Sequence, residues 1–480
     1  MNTRALALIV VSALAIAGCA TVPREAGFED VQSTVAERTG QEVHWNQNSP
    51  LDEEASARVH ALLESDLTAE DAVQIALLNN RELQATYEEL GIAQADLVAA
   101  GLLRNPIFTA DVRFVEGGGQ TELGFSIAED FLSILFLPMR RRIAAAGFEA
   151  AKLRVSGAVI DLAGAVKAAF YTFEGAQQLL EMRQTVLAAT EASFDLAKRL
   201  HAAGNFRDLD LANERALYEQ AKLDVAAGEL GVVEARERVN VLLGLWGSDT
   251  EWRSAGRLPN VPTEPLPFEG LESRAISRSL ELHVARVEMD RIAERLGLVR
   301  STRFANDVEI GVGGEREEGS WEIGPTVSLP LPLFNQGQPA MARASAELRK
   351  LESQYAAEAV AIRSEVRAIA SRLSMLKARE AYYRTVVLPL RQHILDETQL
   401  QYNAMQVGAF QLLQSKQQEI DAGSQYIETL RNYWLARAAL DQLVSGRRPR
   451  FGQPQVEGAL ARGMELDGRA DEETDPGEHR

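Results

Sequence analysis

The chain has 480 residues, one cysteine, and 69 acidic against 50 basic side chains, giving a formal charge of −19. That balance disfavours nucleic acid, which needs a basic patch, and one cysteine leaves no intrachain disulfide. Six scattered histidines (His44, His60, His201, His283, His393 and His479) offer no metal-ligand spacing. No nucleophile elbow, phosphate loop or zinc-protease motif occurs. Gly311, Gly313 and Gly314 form a weak glycine cluster that reads as a turn. His201 falls in an apolar stripe and reads as a packing residue. No catalytic residue, cofactor or metal site is expected, and the chain does not read as an enzyme.

The N-terminus carries one positive charge at Arg4 and an apolar run from Ala5 to Ala17. At ~1.5 Å per residue that run spans only about 20 Å, short of the ~30 Å hydrocarbon core. It reads as a secretory signal, residues 1–18. Ile16-Ala17-Gly18-Cys19 resembles a bacterial lipobox, with Cys19 as the acylated first residue of the mature chain. Several acyl chains on one cysteine would hold a protein on a membrane. Ala20 stands where an Asp would resemble the inner-membrane retention signal, so the expected destination is the outer membrane. Residues 19–66 show no strong periodic element and read as a lipid-anchored extension that wraps the rest.

From residue 67 the chain is written twice. "AVQIALLNNRELQATYEELGIAQADL" (72–97) lines up with "LESRAISRSLELHVARVEMDRIAERL" (271–296), placing Ala76, Glu82, Leu83 and Leu97 on Ala275, Glu281, Leu282 and Leu296. The first copy, 67–261, holds a helix, a hairpin over 105–127 and long helices over 139–246. "RLPNVPTEPLPFEG" (257–270) reads as a linker. The second copy, 262–446, holds a helix, a hairpin over 305–329 and long helices over 336–445. Residues 447–480 turn polar and acidic and read as a disordered, solvated tail.

Each hairpin alternates. Phe108, Ala110, Val112 and Phe114 oppose Thr109, Asp111 and Arg113; Leu123, Phe125 and Ile127 oppose Glu122, Gly124 and Ser126. In the second copy Val308, Ile310 and Val312 oppose Asp307, Glu309 and Gly311, while Trp321, Ile323 and Val327 oppose Glu322, Gly324 and Thr326. Period two with one apolar and one charged face fits a soluble sheet or a membrane barrel. The long helices keep a seven-residue period. Val155, Val159, Leu162, Val166, Ala169, Phe173, Ala176 and Leu180 are spaced 4, 3, 4, 3, 4, 3, 4, and the stripe resumes at Leu187, Thr190, Phe194, Ala197 and His201. Ile362, Val366, Ile369, Leu373 and Leu376 follow the same rule. Such a repeat demands a supercoil, and Arg140 to Ala202 would run roughly 90 Å. Pro389 should kink the second rod.

Four strands cannot close a barrel, and bare edges are forbidden in lipid. Several chains must therefore share one. Two would give eight strands with a filled interior; three would give twelve and an opening. The charged set Asp111, Arg113, Glu122, Asp307, Glu309 and Glu322 wants water, which favours the open case. The fold class is mainly α with a small β part: tandem long coiled-coil helices plus β-hairpins.

These residues resemble the TolC-type outer-membrane efflux proteins over about 67–446. The strongest marks are "SLPLPLFNQGQPAMARASAEL" (328–348), "YNAMQVGAFQLLQSKQQEI" (402–420) and "LTAEDAVQIALLNNRELQATYEEL" (67–90), and the lipobox is similar to that of the lipidated branch. The resemblance implies a homotrimer, a 12-stranded β-barrel continued by a periplasmic α-helical barrel, and docking to a periplasmic adaptor and an inner-membrane pump. It implies lipid contact for Phe108, Val112, Phe114, Leu123, Phe125, Ile127, Val308, Ile310, Trp321 and Ile323. It carries the adaptor-contacting tips onto Gly204, Asn205, Phe206, Gly408, Ala409 and Phe410, glycine suiting the sharp reversal at each. Candidate aperture residues are Asp208 and Asp210, with Gln411 and Gln414 where the second copy would need acids; Asp208 equally suits a helix N-cap. The expected function is the passive outer-membrane duct of a tripartite efflux system. The rivals are a lipid-anchored periplasmic coiled-coil scaffold or adaptor without a pore, and a soluble periplasmic binding protein. The exported compound is not written in the sequence, and the scattered His and Met residues supply no chelating site for a metal cargo.

Overall fold

The computed structural model describes residues 22–23, 25–114, 122–264, 268–302, 308–317, 320–329 and 331–449. Cys19, Asp307, the 116–120 turn and the acidic tail lie outside the described residues. The first described helices are α1 (Phe28–Thr39) and α2 (Pro50–Leu63), in a stretch where the sequence shows no strong period. Phe28, Val31 and Val35 are buried along one side of α1. The α2 start is built by a capping box, with the Ser49 amide donating to Asp52 Oδ2 at 3.0 Å and Pro50 following at the first turn. The extension is thus folded against the body, with Phe28 and Trp45 packed on Tyr87.

Next come β1 (Asp66–Leu67), α3 (Ala69–Asn79) and α4 (Arg81–Ala100). Strands β2 (Ile107–Arg113) and β3 (Glu122–Asp130) lead through the short α5 (Phe131–Leu135) into α6 (Leu137–Ala202) and α7 (Asp208–Leu243). After β4 (Arg253–Ser254), which pairs in parallel with β1, the order repeats. It runs α8 (Leu271–Arg278), α9 (Leu280–Thr302), β5 (Glu309–Glu317), β6 (Ser320–Ser328), α10 (Gln338–Tyr382), α11 (Leu388–Asn403) and α12 (Ala409–Val444).

The two copies share their turning point. Asn80 and Ser279 both leave the helical conformation at ψ near 120°. Asn80 Oδ1 accepts from the Leu83 amide at 2.8 Å, and Ser279 Oγ from the Leu282 amide at 3.2 Å. Each side chain caps a new helix, and both leucines are buried. Two apolar cores lie side by side. One gathers α1, α3, the Val155–Phe173 stretch of α6 and Trp252. The other gathers α8, Leu282, the Ile362–Leu373 stretch of α10 and the end of α12. Trp434 packs against both.

The long rods are also matched. Helix α6 is 66 residues long, about 100 Å at ~1.5 Å per residue, and the rod from Gln338 to Asn403 has the same span. Helices α7 and α12 are 36 residues each. The expected break at Pro389 takes the form of a five-residue π-helical segment, Tyr383–Val387. Proline has no N–H to give to the residue four before it, and the ladder adjusts by one residue just upstream. No described helix is long and apolar enough to cross a membrane.

Candidate functional site

Strands β2, β3, β5 and β6 form one antiparallel sheet in the order β2-β3-β5-β6. Its register sorts the side chains cleanly. Phe108, Ile127, Val312 and Pro325 form one cross-strand row, and Ala110, Phe125, Gly314 and Ile323 the next. Phe125 stacks at a tilt on Trp321, ring centroids 5.3 Å apart. The other face carries the row Asp111, Gly124, Glu315 and Glu322. There Arg113 Nη1 reaches Glu315 Oε1 at 3.0 Å and Arg113 Nε reaches Asp111 at 3.4 Å.

The glycine cluster is not a turn. Gly311, Gly313 and Gly314 lie inside β5. A Cβ on Gly314 would stand 2.7 Å from the Phe125 ring, so the missing side chain makes room for the aromatic.

Among the described residues, no helix or loop covers either face of β2 and β6. Every residue of β2 and β6 is exposed. Phe108, Val112, Leu123, Ile127, Ile310, Trp321 and Ile323 are bare, and Phe114, just past β2, is 82% exposed. Phe125 and Val308 are half-buried. The apolar run continues past β6 through Leu329, Leu331, Leu333 and Phe334. Among the described residues, strands β2 and β6 also leave their outer backbone edges unpaired.

The helices leave edges in the same places. Nearer the sheet, α4 packs on α6, α6 on α9 and α9 on α10; farther away, α7 packs on α6, α6 on α12 and α12 on α11. One edge of the chain is therefore β2, α4 and α7, and the other is β6, α10 and α11. Exposed apolar side chains mark both. Helix α7 carries Leu209, Leu223, Leu230 and Val241, and the α10–α11 rod carries Val360, Met375, Tyr382, Leu390 and Leu400.

At the far end of the helices are two tight reversals. In the first, Gly204 sits at φ 79°, the Gly204 amide donates to His201 O at 2.8 Å and the Asn205 amide to Leu200 O at 3.0 Å. This is a left-handed helix cap. The second has the same geometry with Met405 at φ 60°. There the Met405 amide donates to Tyr402 O at 2.9 Å and the Gln406 amide to Gln401 O at 2.8 Å. The reversal thus falls on Met405 and not on Gly408, which is extended (φ −84°, ψ 163°) and precedes α12 as its N-cap. Met405 and Phe410 are 94% and 72% exposed, and Phe206 is half-buried.

The aperture residues are also rearranged. His201 is not a packing residue. It is half-exposed, with Nδ1 2.9 Å from Phe206 O and Nε2 3.4 Å from Asp208. Asp208 is the first residue of α7 and Arg207 holds the N-cap position, without a capping side chain. Arg207 instead forms a fork onto Asp210, Nε at 2.8 Å and Nη2 at 3.1 Å, so of the two aspartates Asp208 is the one whose carboxylate faces solvent. Gln411 Oε1 accepts from the Gly408 amide at 3.2 Å, closing the start of α12, and Gln414 is exposed. Behind the tip Glu214 is buried, with Oε2 unpartnered among the described residues. Tyr402 titrates higher than usual through burial, then the nearby Glu214 and Asp210. An arginine three residues before Asp210 was the sequence signal for the pairing; nothing in the sequence marked Met405.

No protein-family model matches the chain. It is 23% identical over 385 residues to the cobalt-zinc-cadmium resistance protein CzcC of Cupriavidus metallidurans, covering 79% of this chain and 90% of the relative. It is 27% identical over 335 residues to the outer membrane protein OprJ of Pseudomonas aeruginosa, covering 63% and 67%. Among solved structures, the Campylobacter jejuni CmeC outer membrane channel superposes with a TM-score of 0.67 at 12% identity, covering 91% of this chain and 95% of that one. The chain's homologues are outer-membrane efflux proteins of the TolC type. It shares the fold of these solved outer membrane channels, long helices with a small sheet. These homologues are transport proteins. Among the described residues no group of three or more His, Cys, Asp or Glu side chains is placed to hold a metal ion.

Proposed function

We propose that this protein is the outer-membrane channel subunit of a tripartite efflux system and that three copies close one passive duct. The observation that carries the reading is the coincidence of bare edges. Strands β2 and β6 end the sheet on the same two sides where α7 and the α10–α11 rod end the helical layer. A head-to-tail interface joins unlike edges and closes as a ring. Strand β2 runs opposite to β6, so joining them continues the antiparallel alternation. Three copies give twelve strands, enough for a water-filled interior. The apolar rows then face lipid, and the charged row Asp111, Glu315 and Glu322 faces water. The exposed apolar residues of α7 meet those of the neighbouring rod in coiled-coil fashion.

An acid-rich wall favours cations, and CzcC, by name a cobalt, zinc and cadmium resistance protein, points to the same class of cargo. The tips around Gly204–Phe206 and Gly408–Phe410, with Leu209 and Met405 added, are the surfaces offered to a periplasmic adaptor beneath an inner-membrane pump. Asp208 is the aperture charge. Acylated Cys19 fastens the assembly to the inner leaflet of the outer membrane. The repeats, 67–261 and 262–446, each supply one β-hairpin and two barrel helices.

The test is direct. Purified mature protein should run in detergent as a heat-resistant trimer and open discrete ion-conducting channels in planar lipid bilayers. A monomer without conductance would favour the pore-free scaffold instead.

A further inference from the structure

A cleft of about 350 Å³ opens between α1, α6, α8 and α12, far from the sheet and the tips. In a chain of charge −19, its wall carries Arg38, Lys167, Arg274, Arg278 and Arg437 against a single acid, Asp441. Some of these cations are spoken for. Arg437 pairs with Asp441 at 3.1 Å, Lys167 with Glu70 at 3.2 Å, and Arg278 with Glu37 at 3.5 Å. Arg38 forms no direct ion pair among the described residues, although the carboxylates of Glu37 and Glu281 lie near enough to act on it. Its Nη1 donates to two uncharged acceptors, Arg278 O at 2.6 Å and Ser445 O at 2.9 Å. Gly446, at φ 103°, leaves the space this side chain occupies. The guanidinium is held below its ordinary pKa by burial and then by the like charge of Arg278. Arg274 is exposed and has no ion-pair partner among the described residues. The cleft thus keeps one exposed cation, Arg274, without a carboxylate of its own, beside a guanidinium held by uncharged acceptors, and it is open to an anionic group.

We propose that this cleft is a carboxylate-binding seat and that the acidic run of the chain's own C-terminus, centred on Asp471–Asp475, occupies it. Two observations select this occupant. The last helix forms a wall of the cleft through Gln442, Val444 and Ser445, so the tail departs from beside it. At ~3.3 Å per extended residue, the stretch from Pro449 to Asp471 can reach about 70 Å, far more than the path requires. The charges are also complementary. From Glu457 to Glu478 the tail carries Glu457, Glu465, Asp467, Asp471, Glu472, Glu473, Asp475 and Glu478 against Arg462 and Arg469. Arginine forks bind carboxylates in pairs. The proposal does not rest on the efflux reading, and neither the sheet nor the tips enter it.

The experiment uses the full chain. In unaltered protein, a water-soluble carbodiimide should join Lys167 to a carboxylate between Glu465 and Glu478, found by peptide mass mapping. A full-length variant with D471N, E472Q, E473Q and D475N should lose that cross-link. It should instead bind a labelled synthetic peptide of residues 465–480 that unaltered protein, already occupied, does not bind. Adding R274E to this variant should weaken peptide binding about tenfold or more, and raised salt should weaken it further. R274Q provides a milder change should R274E fail to fold by circular dichroism. Cross-links confined to Lys167 and Glu70, or equal peptide binding by the neutralised and unaltered proteins, would overturn the proposal. Binding indifferent to Arg274 would do the same. Citrate or inorganic phosphate displacing the peptide at equal concentration would show a general anion seat and overturn the assignment to the tail. Cross-links between isotopically distinct chains would overturn the assignment to the same chain.

Discussion

Phe125 and Gly314 face each other across β3 and β5, with the aromatic ring lying where a Gly314 side chain would be. The ring is held from the far side by Trp321, two strands away from β3. Gly314→Val should therefore push Phe125 off its seat, at a cost of about 1–3 kcal/mol typical of overpacking. The check is the melting of the oligomer in detergent, which should shift down in this variant. Gly324→Val, where a Cβ meets nothing within 4 Å, should shift it far less.

A second prediction concerns Glu174 on α6, which is only 4% exposed. Burial first, and then the neighbouring charge of Glu70, raises its pKa to about 7 from an ordinary 4.5. Between those two values the folded protein holds a proton that the unfolded chain has lost. Stability contributed by this group therefore falls as pH rises through that window and is fully lost above it. Glu174→Gln should stabilise the protein by up to about 3 kcal/mol at pH 8 and make little difference at pH 4. Thermal melts of the two proteins at both pH values decide the matter; equal gains at both would contradict it.

The two helical reversals differ in one respect that can be measured. Both need a left-handed residue; one uses Gly204 and the other Met405. A side chain in that conformation costs roughly 1–2 kcal/mol. Met405→Gly should slow proteolytic nicking at its tip, and Gly204→Ala, which meets no atom within 4 Å but acquires the strain, should speed it at the other.

At the same tip, Arg207 covers Asp210 and leaves Asp208, 96% exposed at its side chain, as the open charge. Arg207→Gln uncovers a second acid in each copy. The cation-over-anion permeability ratio in planar bilayers should rise by a factor of roughly two to five. Asp208→Asn should lower it, and an unchanged ratio in both would remove these residues from the aperture.

Much of this architecture was legible because period carries it. Phe108–Val112 and Leu123–Ile127 alternate, and Val155 to Leu180 keeps a seven-residue beat that only a packed long helix sustains. The doubling showed in Leu83 and Leu282, each the buried anchor after a side-chain cap. What was missed had no period or broke a local rule. Helix α1 carries few apolar residues, although Phe28, Val31 and Val35 are spaced 3 and 4, and α2 buries only Val59, although Ser49-Pro50 is a helix-start signature. The glycines of β5 look like turn residues until Phe125 is seen across the strand. Met405 takes a conformation that sequence reserves for glycine. The burial of Glu174 depends on α3 folding back over α6, which no local pattern announces.

The central claim is that β2 of one copy pairs with β6 of the next. Within one chain these strands are opposite edges of the sheet, about 14 Å apart at ~4.8 Å per strand spacing. Cysteines at Thr109→Cys and Thr326→Cys, treated with a short bismaleimide in native membranes, report this pairing. The account predicts covalent dimers and trimers and no larger ladder, with neither single variant cross-linking. Cross-linked monomer alone, or no adduct while both thiols remain reactive, would contradict it.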